Sequence, residues 1–247
     1  MNKKVYATIE ARLSASRLPG KVMYPIRGVP MLQFLIQRVR KALLVEDIIV
    51  ATTTKPEDTV IVDLCKDIGC RYFRGSVEDI TERLLGATQG EDVDIIVQLT
   101  GDNPFVDPAH IDAAVETFKK GDFDYVSNNL NNGLIIGFDV RCFSRKSLEK
   151  VAVLTNDPID RVHGSYFIYR NPSLFKLGLV EMPQSLCRND IRLTVDEPAD
   201  YALIKEISER FEPSEDFSSQ EIVALLDQEA KLKEINNQVQ QKNVSIG

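Results

Sequence analysis

Three short stretches hold side chains suited to phosphate and metal chemistry. The first, Ala11-Arg12-Leu13-Ser14-Ala15-Ser16-Arg17-Leu18-Pro19-Gly20-Lys21, sets three cations close together and keeps small residues where a backbone must approach a ligand. Backbone N–H groups flanked by Arg and Lys are a common means of holding a polyphosphate. A solvated basic loop would use the same letters. The stretch is not a Walker A loop, since Val22 follows Gly20-Lys21, and it has no GxGxxG. The second stretch, Leu99-Thr100-Gly101-Asp102-Asn103-Pro104, ends an apolar run in a carboxylate, and the third, Ile191 to Pro198, repeats this with Asp196. Turn chemistry alone accounts for Gly-Asp-Asn-Pro, and Asp196 or Glu197 before Pro198 suits a helix N-cap. If both runs are strands of one sheet, they bring two carboxylates to one edge. That is a hard oxygen site suited to Mg²⁺ with substrate phosphates and water.

The elements that must position these groups follow from periodicity. Strand-like runs at 4–9, 47–52, 70–73 and 93–99 alternate with helical spacing over 30–44, 57–68, 78–87 and 108–119. Such alternation predicts a parallel sheet with helices on both faces. In the second half the pattern predicts strands at 138–143, 174–181 and 191–195, and helices at 145–151, 157–169, 198–211 and 217–233. The expectation is a single α/β domain over 1–247: a Rossmann-like three-layer fold with a mostly parallel sheet and a protruding, irregular segment at about 130–190. The polar end at about 236–247 reads as weakly ordered and flexible.

Composition bounds the partners. Residues 1–50 carry nine Lys/Arg against three Asp/Glu, on a 247-residue chain of net charge −7. A basic start on an acidic protein suits a small, highly charged anion and excludes nonspecific nucleic-acid binding, which needs a broad basic surface. No apolar run is long enough to span or insert into a membrane. Cys65, Cys70, Cys142 and Cys187 form no CxxC, and His110 and His163 lie far apart, so neither structural zinc nor a disulfide scaffold is expected. A reducing cytoplasm fits best.

The elements ARLSASRLPGKV (11–22), LTGDNPFVDP (99–108), RVHGSYFIYRNP (161–172) and RLTVDEPADYALI (192–204) together resemble the cytidylyltransferases that activate acidic sugars. These include the CMP-Kdo and CMP-acylneuraminate synthetases and the SpsF-like spore-coat polysaccharide proteins, the last being the best match. The resemblance implies a nucleotide-diphospho-sugar transferase type of fold. It assigns nucleotide contacts to Ala11, Arg12, Leu13, Ser14, Ser16 and Lys21, and places Gln98 where it could read the cytosine edge. It gives Mg²⁺ to Asp102 and Asp196, and catalysis to Arg12, Lys21 and Asp102. Arg161 and His163 would bind the acceptor's carboxylate and hydroxyls, with Asn128 lining the pocket. Two departures stand out: Ser14-Ala15 where many relatives have Gly-Ser, and Val162 in place of a Glu.

The implied reaction is attack of an acidic sugar's hydroxyl on the α-phosphate of CTP, with pyrophosphate leaving, for surface polysaccharide biosynthesis. A homodimer is expected, on resemblance and on the aromatic run Tyr166-Phe167-Ile168-Tyr169. Two alternatives stay open. A GT-A-type glycosyltransferase would use an Asp-x-Asp motif such as Asp92-Val93-Asp94, and a non-catalytic nucleotide-binding module would tolerate the departures at Ser14, Ala15 and Val162.

Overall fold

A computed structural model describes residues 3–130, 132–212 and 216–241. Its centre is β1 (Val5–Glu10), buried on both faces: Val5, Ala7 and Ile9 enter one core and Tyr6 another. Two-sided burial is what a central parallel strand requires. After a loop over 11–24, a hairpin of β2 (Pro25–Ile26) and β3 (Val29–Pro30) turns at Arg27 and Gly28, both with positive φ, and leads into α1 (Met31–Val39). The chain then alternates through β4 (Asp47–Thr53), α2 (Thr59–Asp67), β5 (Arg71–Gly75), α3 (Ile80–Ala87), β6 (Ile95–Thr100) and α4 (Pro108–Lys120). The second half supplies β7 (Tyr125–Ser127), β8 (Arg141–Ser144), α5 (Arg145–Leu154), α6 (Pro158–Val162), α7 (Tyr166–Arg170), β9 (Leu177–Leu179), α8 (Pro198–Ser208) and α9 (Ser219–Gln228).

The main sheet has the order β5-β4-β1-β6-β8-β7-β9, and only β8 runs antiparallel to its neighbours. Apolar side chains of α1, α2 and α4 pack on one face, and those of α3, α5 and α7 on the other, giving three layers. A third core joins α8, α9, Ile26, Phe105, Leu134–Phe138 and residues 186–195. The chain winds outward from β1 to β4 and β5, then returns to β6 on the other side of β1. That reversal opens a crevice at the carboxyl ends of β1 and β6, where ligands bind in sheets of this kind.

Several elements differ from their sequence reading. Residues 191–195 form no ladder strand; a single bridge joins Arg192 to Ile136, and the Leu193 N–H donates to the Ile136 carbonyl at 2.7 Å. This close approach needs Gly137, at φ 112°, because a Cβ there would meet the Leu193 backbone at 2.5 Å. The helix expected at 157–169 is two short ones, broken at Gly164 with φ 61°. β7 is three residues long, too short to show a period. The aromatic run 166–169 lies on α7 and packs inward: Ile168 is fully buried, Phe167 meets Phe175, and Tyr169 meets Tyr125. Tyr166, Phe167 and Tyr169 remain half-buried, so the run packs on the core from its edge rather than forming an exposed apolar patch. Of the end expected to be weakly ordered, Asn236 is buried and its amide donates to the Arg192 carbonyl (3.0 Å) and Asp200 (2.9 Å). Residues 242–247 lie outside the described residues.

Candidate active site

The loop that follows β1 folds back on the crevice. Its backbone is fixed by the Leu13 N–H donating to Asp58 Oδ1 at 2.7 Å, and by the Ala15 and Gly20 N–H groups donating to the Leu13 carbonyl at 2.8 Å each. Asp58 is fully buried and also accepts from the Thr53 hydroxyl at the end of β4. The Leu13 amide, expected to face a triphosphate, is therefore spent on the loop's own shape. The Ser14 hydroxyl is enclosed and has no hydrogen-bond partner, and Arg12 makes no hydrogen bond or ion pair to a described residue. Buried polar groups are rarely left so. Ala11 is buried, and Ser16 is exposed at the loop surface.

At the end of this loop Lys21, only 8% exposed, holds two carboxylates together. Its ammonium lies 2.9 Å from Asp102 Oδ2, 3.0 Å from Asp196 Oδ1 and 2.6 Å from the Val195 carbonyl. Asp102 follows β6 directly and accepts from the Thr100 hydroxyl at 2.6 Å. Asp196 reaches the same point by a different route from the one expected. It comes not from a strand of the sheet but from residues 191–195, docked by the Val195 N–H on the Asp102 carbonyl at 2.8 Å. Asp196 is also paired with Arg17 at 2.8 Å and Arg192 at 2.6 Å. Arg17, which reaches Glu197 as well at 3.3 Å, is a clamp on this segment.

The charges shift one another's protonation. Burial disfavours the Lys21 ammonium, but Asp102 and Asp196 outweigh it and raise its pKa above the ordinary lysine value of 10.5. Burial likewise pushes Asp196 up, while Lys21, Arg17 and Arg192 more than offset it and hold the carboxyl below 3.8. The N-cap alternative for Asp196 does not hold. Glu197 occupies the cap position of α8, and the Asp200 carboxylate accepts from the N–H groups of both Asp196 and Glu197 at 3.0 Å.

Among the described residues no group of three or more His, Cys, Asp or Glu forms a metal cage. The donor set nonetheless fits a divalent cation of the Mg²⁺ type. Two carboxylates already converge on a single positive charge, and such ions take one or two carboxylates with phosphate oxygens and water.

On the opposite face of β6 the residues expected to read base and acceptor are engaged within the protein. Gln98 is 2% exposed, and its carboxamide donates to Glu10 and accepts from the Ser165 hydroxyl at 2.5 Å. Burial raises the Glu10 carboxyl above its ordinary value, against the pull of Arg83 and Gln98. Arg161 is tied to Asp79 at 2.6 Å and to the Ala152 carbonyl at 3.3 Å, joining α6 to the start of α3. His163 stacks edge-on against Tyr166. Asn128, expected to line the pocket, is fully buried: its amide donates to the Phe138 carbonyl and its oxygen accepts from the Val140 N–H, both at 2.8 Å. It is a structural clasp, because neither end of its side chain is left for a ligand. Asp92 and Asp94 sit before β6, where Asp94 accepts from the Lys4 N–H at 2.9 Å. The Asp-x-Asp letters are thus at the wrong end of the strand for this crevice. Sequence reasoning passed over Asp58, Glu10, Arg83 and Arg192; only their meeting in space reveals them.

A cationic loop and paired carboxylates at the switch point of a mostly parallel sheet define an α/β protein of the nucleotidyltransferase type. The chain belongs to the cytidylyltransferase family, whose model matches residues 6–241. It is 31% identical to the spore coat polysaccharide biosynthesis protein SpsF of Bacillus subtilis over 225 residues, 88% of this chain and 92% of that one. It is 38% identical to a 3-deoxy-manno-octulosonate cytidylyltransferase of Trichlorobacter lovleyi over 117 residues, 47% of this chain and 45% of the relative. A solved cytidylyltransferase from Leptospira borgpetersenii superposes with a TM-score of 0.89 at 29% identity, covering 97% of this chain and 100% of the other. No helix among the described residues is long and apolar enough to cross a membrane.

Proposed function

We propose that this chain transfers the cytidylyl group of CTP to an acidic sugar, releasing pyrophosphate, in the building of a surface polysaccharide. The observation that carries this reading is the convergence of Lys21, Asp102 and Asp196 at the switch point, beside a loop whose Arg12 and Ser14 hydroxyl have no hydrogen-bond partner among the described residues. The names of the relatives support the donor and the kind of acceptor: one is a 3-deoxy-manno-octulosonate cytidylyltransferase, another a polysaccharide biosynthesis protein.

Arg12, the Ser14 hydroxyl and Lys21 bind the triphosphate and neutralise its charge. Positioning and charge neutralisation of this kind carry most of the catalysis in phosphoryl transfer. Asp102 and Asp196 would hold Mg²⁺, which when bound draws phosphate oxygens into place and offsets charge developing on them. Lys21, which neutralises Asp102 and Asp196 here, would serve the phosphates where a cation takes over those carboxylates. Arg17 and Arg192 keep Asp196 in position throughout. The site would work in a cytoplasmic setting, where CTP is available.

The test is pyrophosphate release from each of the four nucleoside triphosphates in the presence of Mg²⁺ and a panel of keto-sugar acids. The expected result is release from CTP alone, and only when an acid is present. Release from another triphosphate, or consumption of a nucleotide sugar, would overturn the reading.

A further inference from the structure

Arg141 has no role in the site as described, and its surroundings are unusual. It opens β8 directly opposite Gln98 of β6 and Ser127 of β7. Side chains alternate along a strand, so Arg141 shares the face of Phe143, which packs with Tyr125 in the core below α5 and α7. It is partly buried, yet its guanidinium makes no hydrogen bond or ion pair to any described residue. A guanidinium carries five donors, and taking it out of water without a partner is costly.

The acids around it are committed elsewhere. Glu10 accepts from Gln98, while Asp139 accepts from the Asn129 amide at 2.7 Å and the Gly137 N–H at 3.1 Å. Of the other arginines of this face, Arg161 is paired with Asp79, while Arg83 is buried, donates to the Ser76 carbonyl at 2.7 Å and keeps its Nε without a partner among the described residues. Arg141, less buried than Arg83, is thus the more accessible cation on the acceptor side, in the electrostatic reach of Tyr125, Asp139, Tyr169 and Glu10. A planar fork of donors in a part-dry setting matches a carboxylate in two-point contact.

We infer that Arg141, rather than Arg161, receives the carboxylate of the acceptor and selects acidic over neutral sugars. The assignment rests on the cytidylyl-transfer reading above and adds to it the residue that recognises the acid. Arg161, tied between α3 and α6, fixes the segment that leads to Gly164 and Ser165, which pack against Gln98.

The experiment compares wild type, Arg141→Gln and Arg141→Lys with CTP, Mg²⁺ and paired acceptors. Each pair is a keto-sugar acid, 3-deoxy-manno-octulosonate among them, and the matching sugar without its carboxylate. Loss of a charge-assisted, two-point contact predicts a fall of about ten- to a hundredfold in kcat/KM for the acid in Arg141→Gln, mostly through KM. Arg141→Lys recovers part of it, because the charge returns without the fork. Preference for the acid over its neutral partner collapses in Arg141→Gln, while CTP affinity by calorimetry and the melting temperature stay near wild type. Unchanged acid preference in Arg141→Gln overturns the assignment. Wild-type turnover confined to neutral sugars, CTP binding without turnover of any acid, or failure of the wild type to bind CTP at all would instead overturn the reading on which the assignment rests.

Discussion

At the phosphate end of the crevice, Lys21, Arg17 and Arg192 lie within 2.6–3.0 Å of Asp102 or Asp196, so these three cations, unlike Arg12, have their counter-charges among the described residues. On the acceptor face, one strand away, the Arg141 guanidinium forms no ion pair with a described residue, although Glu10 and Asp139 act on it electrostatically. Both regions are rich in ionisable groups, and both sit at the carboxyl ends of the same strands. The first is a closed network that must be opened for a metal and a nucleotide to enter. The second is already open by one positive charge. A closed network stabilises the empty protein and gives up contacts on binding, whereas an open one costs stability until its ligand arrives.

Mutating the closed network should have the largest effect. Asp102→Asn and Asp196→Asn are each expected to abolish measurable turnover, and the double variant should be no worse than either, since residues acting as a unit are not additive. Asp196→Asn should also lower stability, by about 1–3 kcal/mol, because Lys21, Arg17 and Arg192 lose their common anion. Asp102 lacks those extra partners, so its variant should melt closer to wild type. Equal melting temperatures for the two variants would break the contrast drawn between them.

Next in size is Lys21→Ala, expected to weaken CTP by about ten- to a hundredfold in calorimetry. Acceptor affinity should change much less. Without the ammonium, Asp102 and Asp196 lose the cation they share, although Arg17 and Arg192 still pair with Asp196, so added Mg²⁺ should raise the melting temperature of this variant more than that of wild type. An equal Mg²⁺ response in both would separate the carboxylates from any shared cation.

Asn128→Ala probes the region that sequence reading assigned to the substrate. The loss of two buried hydrogen bonds should cost about 1–3 kcal/mol in stability. The folded variant should keep its KM for the acceptor. A raised KM at unchanged melting temperature would return Asn128 to the binding surface.

The smallest effect is on pH dependence. The depressed Asp196 carboxyl contributes stability above pH 3.8 that is lost as pH falls through its folded value. The raised Lys21 contributes below pH 10.5, and that contribution is lost as pH rises through its own folded value. The melting-temperature gap between wild type and Asp196→Asn should therefore be flat across neutral pH and narrow only below 3.8. A gap that narrows already at neutral pH would contradict the pairing.

Much of the phosphate end was legible in the sequence. The cation loop follows a strand with clear β-branched character, and Asp102 ends a continuous apolar run, so both could be placed at one sheet edge. Asp196 could be named but not routed: residues 191–195 look like a strand because their alternate residues fill the third core, yet only one bridge forms. The acceptor side was much less legible. Gln98, Arg161 and Asn128 are polar residues at suggestive places, and nothing in a single sequence tells that Ser165, Asp79 and Val140 already occupy them. Arg141 is the reverse case. Its significance lies in partners it lacks, and a lack of partners has no letter in the sequence.

The most direct test of cytidylyl transfer is phosphorus NMR of CTP incubated with the protein, Mg²⁺ and each keto-sugar acid in turn. The account predicts that, with at least one acid, the three triphosphate signals give way to one pyrophosphate signal and one phosphodiester signal in equal molar amounts. Triphosphate signals unchanged with every acid, or hydrolysis to CMP with no phosphodiester, would contradict it.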